Sequence, residues 1–158
     1  MPGIIRFAVV ADPQGAGFLI ATPLMKEAPP PIAPDAPGNI GWRELYAGDW
    51  KKVSGFYEKL FGWKKGEAHD MGAMGTYQLF KTPGSAVPAG GMMTKPPALP
   101  RPFWTYYFNV ALMDAAVGRL THGGGKVLMG PHQVPGGLWI VQATDPQGAN
   151  FALIAPQR

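Results

Sequence analysis

The sequence predicts an α+β fold: two βαβββ modules forming curved sheets around a cleft, preceded by a short β-hairpin. Three observations predict it. One turn motif occurs twice, as Asp12-Pro13-Gln14-Gly15-Ala16-Gly17-Phe18 and as Asp145-Pro146-Gln147-Gly148-Ala149-Asn150-Phe151, each between apolar runs. The order strand, helix, three strands recurs twice after Asn39. Two proline-rich stretches, residues 22–38 and 95–102, separate the pieces as linkers.

Residues 4–21 read as strand, turn, strand. The Asp side chain of the turn accepts from backbone amides, Pro fixes its own φ, and Gly tolerates positive φ. Residues 22–38 hold Pro23, Pro29, Pro30, Pro31, Pro34 and Pro37, which neither a helix nor a sheet ladder accommodates. A lone hairpin is not stable in water. Residues 1–21 are therefore expected to be the remnant of a preceding module, docked on this chain or on a partner subunit. Ile4, Ile5, Phe7, Val9, Val10, Phe18, Leu19 and Ile20 supply the apolar surface for such docking.

The body begins with a strand over 40–47. Asp49 is placed as an N-cap for a helix over 50–61, with Val53, Phe56, Tyr57, Leu60 and Phe61 on one stripe and Gly62 as its stop. Strands follow over 63–69, 76–81 and 87–93, with Gly72 and Gly75 marking a turn. The second module repeats this order. It has a strand over 103–110 and a helix over 111–122 with Leu112, Ala115, Ala116 and Leu120 inward, then strands over 126–129, 138–144 and 150–155. The modules thus span 39–94 and 103–158 of one body covering 39–158.

Composition narrows the function. The 158 residues suffice for one domain with a sizeable core, and 46% are apolar. The net charge of +4 is spread thinly beyond Lys51-Lys52 and Lys64-Lys65, so no nucleic-acid partner is expected. There is no cysteine, which excludes disulfides, Cys-ligated zinc and thiol nucleophiles. No apolar run reaches the roughly 18 residues of a membrane span, and the N-terminus lacks a charged region ahead of an apolar core. A cytoplasmic protein without a membrane partner is expected. Gly123-Gly124-Gly125 follows a helix instead of opening one, so it is not a phosphate loop.

Alternation along strands selects the candidate site. Leu45 and Ala47 suit the helix side of the first strand, which leaves Trp42, Glu44 and Tyr46 concave. The same argument leaves Thr105, Tyr107 and Asn109 concave on the fifth strand, and Asn150, Ala152 and Ile154 on the last. The expected ligand-binding set is Trp42, Glu44, Tyr107, Asn109 and Asn150, with Trp139 or Gln142 according to register. Glu44 is the best single catalytic candidate, because a half-buried carboxylate flanked by Trp42 and Tyr46 is costly unless it is paired or used. A buried pair with Arg43 or Arg101, or a bond to Tyr107, is the structural explanation. His122 suits a helix end, and His69 and His132 lie near turns. Trp42, Tyr46, Trp104, Tyr107 and Trp139 exceed what a helix-packed core needs, so they line either a pocket for a flat ligand or an interface.

The order of elements resembles the vicinal oxygen chelate superfamily, which includes glyoxalase I, extradiol dioxygenases and bleomycin-resistance proteins. Gly41-Trp42-Arg43-Glu44-Leu45-Tyr46-Ala47-Gly48-Asp49 with Phe56-Tyr57 and Leu60-Phe61-Gly62-Trp63 is similar to its first strand and helix. Phe108-Asn109-Val110 with Asp114-Ala115-Ala116 is similar to the start of its second module, and Asp145 to Phe151 to its closing hairpin. The resemblance implies a divalent metal held by a His on the first strand, a carboxylate on the fourth, a His or Gln on the fifth and a Glu on the last. Those positions here read Trp42, the 89–93 region, Thr105 and Ala152, so no metal or other cofactor is expected. The resemblance implies a small-molecule-binding protein of the bleomycin-resistance kind. The alternatives are a lyase, isomerase or dioxygenase with displaced ligands such as Glu44, His69 and His132, or a protein-interaction module. A homodimer is expected, with the N-terminal hairpin packed across the subunit boundary.

Overall fold

The computed structural model describes residues 3–25, 30 and 32–158. Pro29 and Pro31 of the expected linker lie outside the described residues. Along the chain run β1 (Ile5–Ala11), β2 (Gly17–Pro23), β3 (Ile40–Ala47), α1 (Trp50–Phe61), β4 (Lys64–Asp70), β5 (Thr76–Lys81), β6 (Gly90–Thr94), β7 (Phe103–Asn109), α2 (Met113–His122), β8 (Lys126–Gln133), β9 (Trp139–Thr144) and β10 (Asn150–Ala155). The predicted βαβββ order is present twice, as β3-α1-β4-β5-β6 and β7-α2-β8-β9-β10. The described residues divide into two compact units. One draws on the described residues among 1–31 and on Glu44–Trp104, the other on Ile32–Arg43 and Thr105–Arg158.

In the first unit the strands run β4-β5-β6-β3, with β6 parallel to β3. Asp49 caps α1, its carboxylate accepting from the Lys51 and Lys52 amides, and Gly62 ends the helix in the left-handed conformation that a Cβ would penalise. Helix α1 buries Trp50, Val53 and Tyr57 against Leu45, Ala47, Phe80 and Met92. Leu60, expected on that stripe, is 47% exposed, because the buried arc is centred on Val53 and Tyr57.

The hairpin β1–β2 completes this core. Ala16 and Phe18 are buried against α1, and Phe18 meets Phe56, Tyr57 and Phe61 at ring-centroid distances of 6.4, 5.9 and 5.9 Å. Two polar anchors fix the turn. The Asp12 carboxylate accepts from the Gln14 and Ala16 amides and from the Tyr57 hydroxyl at 3.0 Å. The Gln14 amide clasps the start of α1, accepting from the Asp49 N–H at 2.9 Å and donating to the Asp49 carbonyl at 3.0 Å. Asp12, Ala16 and Phe18 are therefore buried within their own chain, and no exchange between subunits is needed to cover Phe18. Strand β2 also runs on to Pro23, into the stretch expected to be linker.

In the second unit the order is β8-β9-β10-β7, with β10 parallel to β7. Met113 and Ala116 of α2 pack on Val141, Ala143, Leu153 and Ala155, with Val117 and Leu120 alongside. Leu112 and Ala115, expected inward, are exposed: Leu112 is the N-cap residue, so the buried stripe starts one residue later. Strand β8 runs on past Met129 to Gln133, through two register shifts and a cis peptide bond before Pro131. Burial pushes the Tyr106 phenol above its ordinary value, with the Arg43 charge partly opposing, so it stays protonated at neutral pH.

Candidate functional site

The strand faces turned away from the helices carry the candidate residues. In the first unit, Leu45 and Ala47 enter the core, so Glu44 and Tyr46 project from the other face of β3. Glu44 is 6% exposed. Its register partner on β6 is Gly91, which in turn pairs with Leu79 of β5. Tyr46 stacks on Phe103 with ring centroids 5.1 Å apart and planes 17° apart. His69 of β4 pairs with Tyr77 of β5, on the same face. Trp42 shares its face of β3 with Glu44 and is half-buried.

In the second unit, Tyr107 of β7, Ala152 of β10 and Gln142 of β9 lie in one row. The Gln142 amide donates to the Tyr107 hydroxyl at 2.8 Å across the small Ala152 side chain. Asn150 stands on the same face of β10 at its exposed start. The register decides between Trp139 and Gln142. Gln142 lies with Tyr107, whereas Trp139 lies on the opposite face beside Met113 and Val141, with the Arg158 guanidinium 5.5 Å from its ring centroid. Asn109 is engaged in holding backbone. Its amide donates to the Pro34 carbonyl at 2.8 Å and lies against Gly41, while its backbone N–H bonds the Asn39 carbonyl. Trp104 belongs to the first unit's core, donating to the Tyr57 hydroxyl at 3.1 Å.

The two units match position for position. Glu44, Gly91 and Leu79 form one row as Tyr107, Ala152 and Gln142 form the other. His69, paired with Tyr77, then corresponds to His132, paired with Ile140. The family's metal can be tested against these rows. Met92 is buried in the helix-side core, so the open face of the fourth strand carries Gly91, which has no side chain, and Met93, which is no carboxylate. Trp42, Gly91, Thr105 and Ala152 present neither imidazole nor carboxylate, and one threonine hydroxyl does not hold a divalent ion. Among the described residues, no three of His, Asp and Glu gather as a metal-binding group. A cavity lined by Ser54, Tyr57, Gln78, Phe80 and Met92 lies on the helix side of the first unit. Gln78 there bonds the carbonyls of Gly66 and Leu79, both at 2.9 Å, and stitches the bulge in β4.

Among the described residues, no helix is long and apolar enough to cross a membrane. The chain is 31% identical over 153 residues to the anthracycline biosynthesis protein DauV of Streptomyces sp. (strain C5), covering 96% of this chain and 53% of that protein. It is 33% identical over 119 residues to the putative glyoxylase CFP32 of Mycobacterium bovis, covering 73% and 45% respectively. The chain thus spans about half the length of the curated relatives it matches. The crystal structure of methylmalonyl-CoA epimerase from Mycobacterium tuberculosis superposes with a TM-score of 0.58 at 16% identity, over 80% of this chain and 93% of the other, a likeness of fold. Residues 39–153 match the Glyoxalase/Bleomycin resistance protein/Dioxygenase superfamily, and with its twofold βαβββ order the chain belongs to that superfamily.

Proposed function

We propose that this protein binds a small, flat, partly aromatic or apolar ligand on the helix-free faces of its strands, without a metal at the family's position. The donor set carries this reading: Trp42, Gly91, Thr105 and Ala152 stand where a divalent ion needs imidazole or carboxylate. The first unit instead offers rings and one carboxylate, with Glu44 beside the Tyr46–Phe103 stack. A surface of aromatic groups with few polar ones suits a flat small molecule. DauV, a relative named for anthracycline biosynthesis, favours the same ligand class. The lyase, isomerase or dioxygenase reading calls for displaced metal ligands, and among the described residues no three of His, Asp and Glu gather as a metal-binding group.

The test uses protein purified without added metal. Elemental analysis should find well under one equivalent of Zn, Ni, Fe or Mn. Titration with 1,4-dihydroxyanthraquinone, followed by its visible absorbance, should saturate, and Glu44→Gln should weaken it by about tenfold, the worth of one hydrogen bond to a charged group. Stoichiometric metal that Glu44→Ala removes, or no saturable binding by the wild type, would overturn this reading.

The hairpin supports a second proposal, a homodimer. Phe18 and Val10 face α1, whereas Phe7, Val9 and Leu19 share the other face, 53%, 71% and 63% exposed. A second copy covering this face would bury it, and symmetric pairing of like surfaces is the common route to dimers. The double substitution Phe7→Lys, Leu19→Lys leaves the Asp12 and Gln14 anchors untouched. Light scattering should give a dimer mass for the wild type and a monomer mass for the variant, with little change in melting temperature. A monomeric wild type would dispose of the idea.

A further inference from the structure

One row of the first unit holds a residue that the strand alternation of the candidate site did not select. On the open face of β6, Gly91 lies between Glu44 of β3 and Leu79 of β5. A Cβ at Gly91 would overlap Cζ, Cε1 and Oη of Tyr77. Tyr77 sits two residues before Leu79 on β5, so its ring crosses the sheet diagonally and ends over Gly91, in the row of Glu44. The half-buried His69 flanks it on β4. Gly91 has no side chain of its own, and the Tyr77 phenol occupies the space.

We infer that Tyr77 is a ligand-binding residue: its phenol, held over Gly91 beside Glu44, pairs with the polar edge of the flat ligand. This rests on the small-molecule-binding reading above. The two groups define the chemistry of that edge. A carboxylate has several acceptor positions, and a phenol oxygen accepts as well as donates, so both reach a ligand beside the partners they hold within the protein. The ligand that meets both carries a hydroxyl next to a carbonyl on a planar ring system, and the Tyr46–Phe103 stack extends the aromatic surface of the same unit. Glycine at 91 is the condition for this arrangement, since any larger residue pushes the phenol aside.

The experiment titrates wild type, Tyr77→Phe, Gly91→Ala and the double variant with 1,4-dihydroxyanthraquinone, alongside thermal melts. The atoms a new Cβ would strike are the far end of a flexible side chain, so Gly91→Ala should fold and melt close to wild type while displacing Tyr77. Each single variant is expected to bind about tenfold more weakly, and the double variant no weaker than either, because both remove the same contact. Wild type that binds while Tyr77→Phe and Gly91→Ala bind equally well would overturn the role of Tyr77 alone. Wild type that does not bind would take down the small-molecule reading and this inference together.

Discussion

Replacing Tyr57 by alanine is expected to lower the melting temperature by roughly 10 °C. Tyr57 is 1% exposed and is the centre of the first unit's core. Its ring lies 5.1 Å from Phe56, 5.2 Å from Trp63, 5.5 Å from Trp104 and 5.9 Å from Phe18. Truncating such a ring to alanine costs about 3–5 kcal/mol, through lost burial and the cavity left behind. In a chain of this size each kcal/mol moves the transition by about 2–4 °C. The hydroxyl has its own share. It accepts from Trp104 Nε1 at 3.1 Å and donates to Asp12 Oδ2 at 3.0 Å, one relay joining the hairpin, α1 and the start of β7. Tyr57→Phe keeps the ring but leaves a half-buried donor and a buried carboxylate each short of a partner, at about 1–3 kcal/mol. Differential scanning calorimetry on the three proteins separates the contributions. A Tyr57→Phe variant melting within a degree of wild type would mean that the relay adds nothing.

Local signals carried most of the fold into the sequence. Asp49 and Gly62 bracket α1 because capping depends on residues a few positions apart, and the structure uses both. The strands of the body likewise follow from alternation. The misses share a cause, which is that burial is decided by what arrives from elsewhere in the chain. Leu60 has the spacing of a core residue, but the helix turns it outward. The end of β8 carries Gly130 and Pro131, poor strand formers, yet pairing with β9 extends it through Gln133. The candidate positions were legible as alternation on single strands. Trp42, Glu44, Tyr107, Asn109 and Asn150 came from that, whereas placing Gln142 instead of Trp139 on their face required the register of β9. Tyr77 could not be selected this way, because its position over Gly91 depends on three strands whose pairing the sequence does not state. Asn109 was legible as concave, but the bond that occupies it comes from Pro34, in a stretch read as linker.

The repeated turn gives the sharpest test of how context sets the worth of one motif. Asp12 and Asp145 each accept from two backbone amides of their own turn, at 2.8 and 3.0 Å in the first copy and 2.9 and 2.8 Å in the second. Local geometry is thus matched, and surroundings are not. Asp12 is 4% exposed and also holds the Tyr57 hydroxyl, while the Asp145 bonds lie at the surface. At the surface, water replaces a lost acceptor, so Asp145→Ala should cost about 1 kcal/mol, as an N-cap replacement does. In the buried copy two amides and a phenol lose their acceptor together, and water reaches them poorly. Asp12→Ala should therefore cost about 3 kcal/mol. The hairpin should also loosen, since the turn orients Gln14 toward Asp49. Urea denaturation of the two variants measures the difference, and hydrogen exchange at the Gln14 and Ala16 amides reports whether the hairpin opens first. Equal losses in the two variants would mean that the hairpin is held by Phe18 and Ala16 alone. A larger loss at Asp12 with early exchange in β1 and β2 would assign the dock to its buried carboxylate.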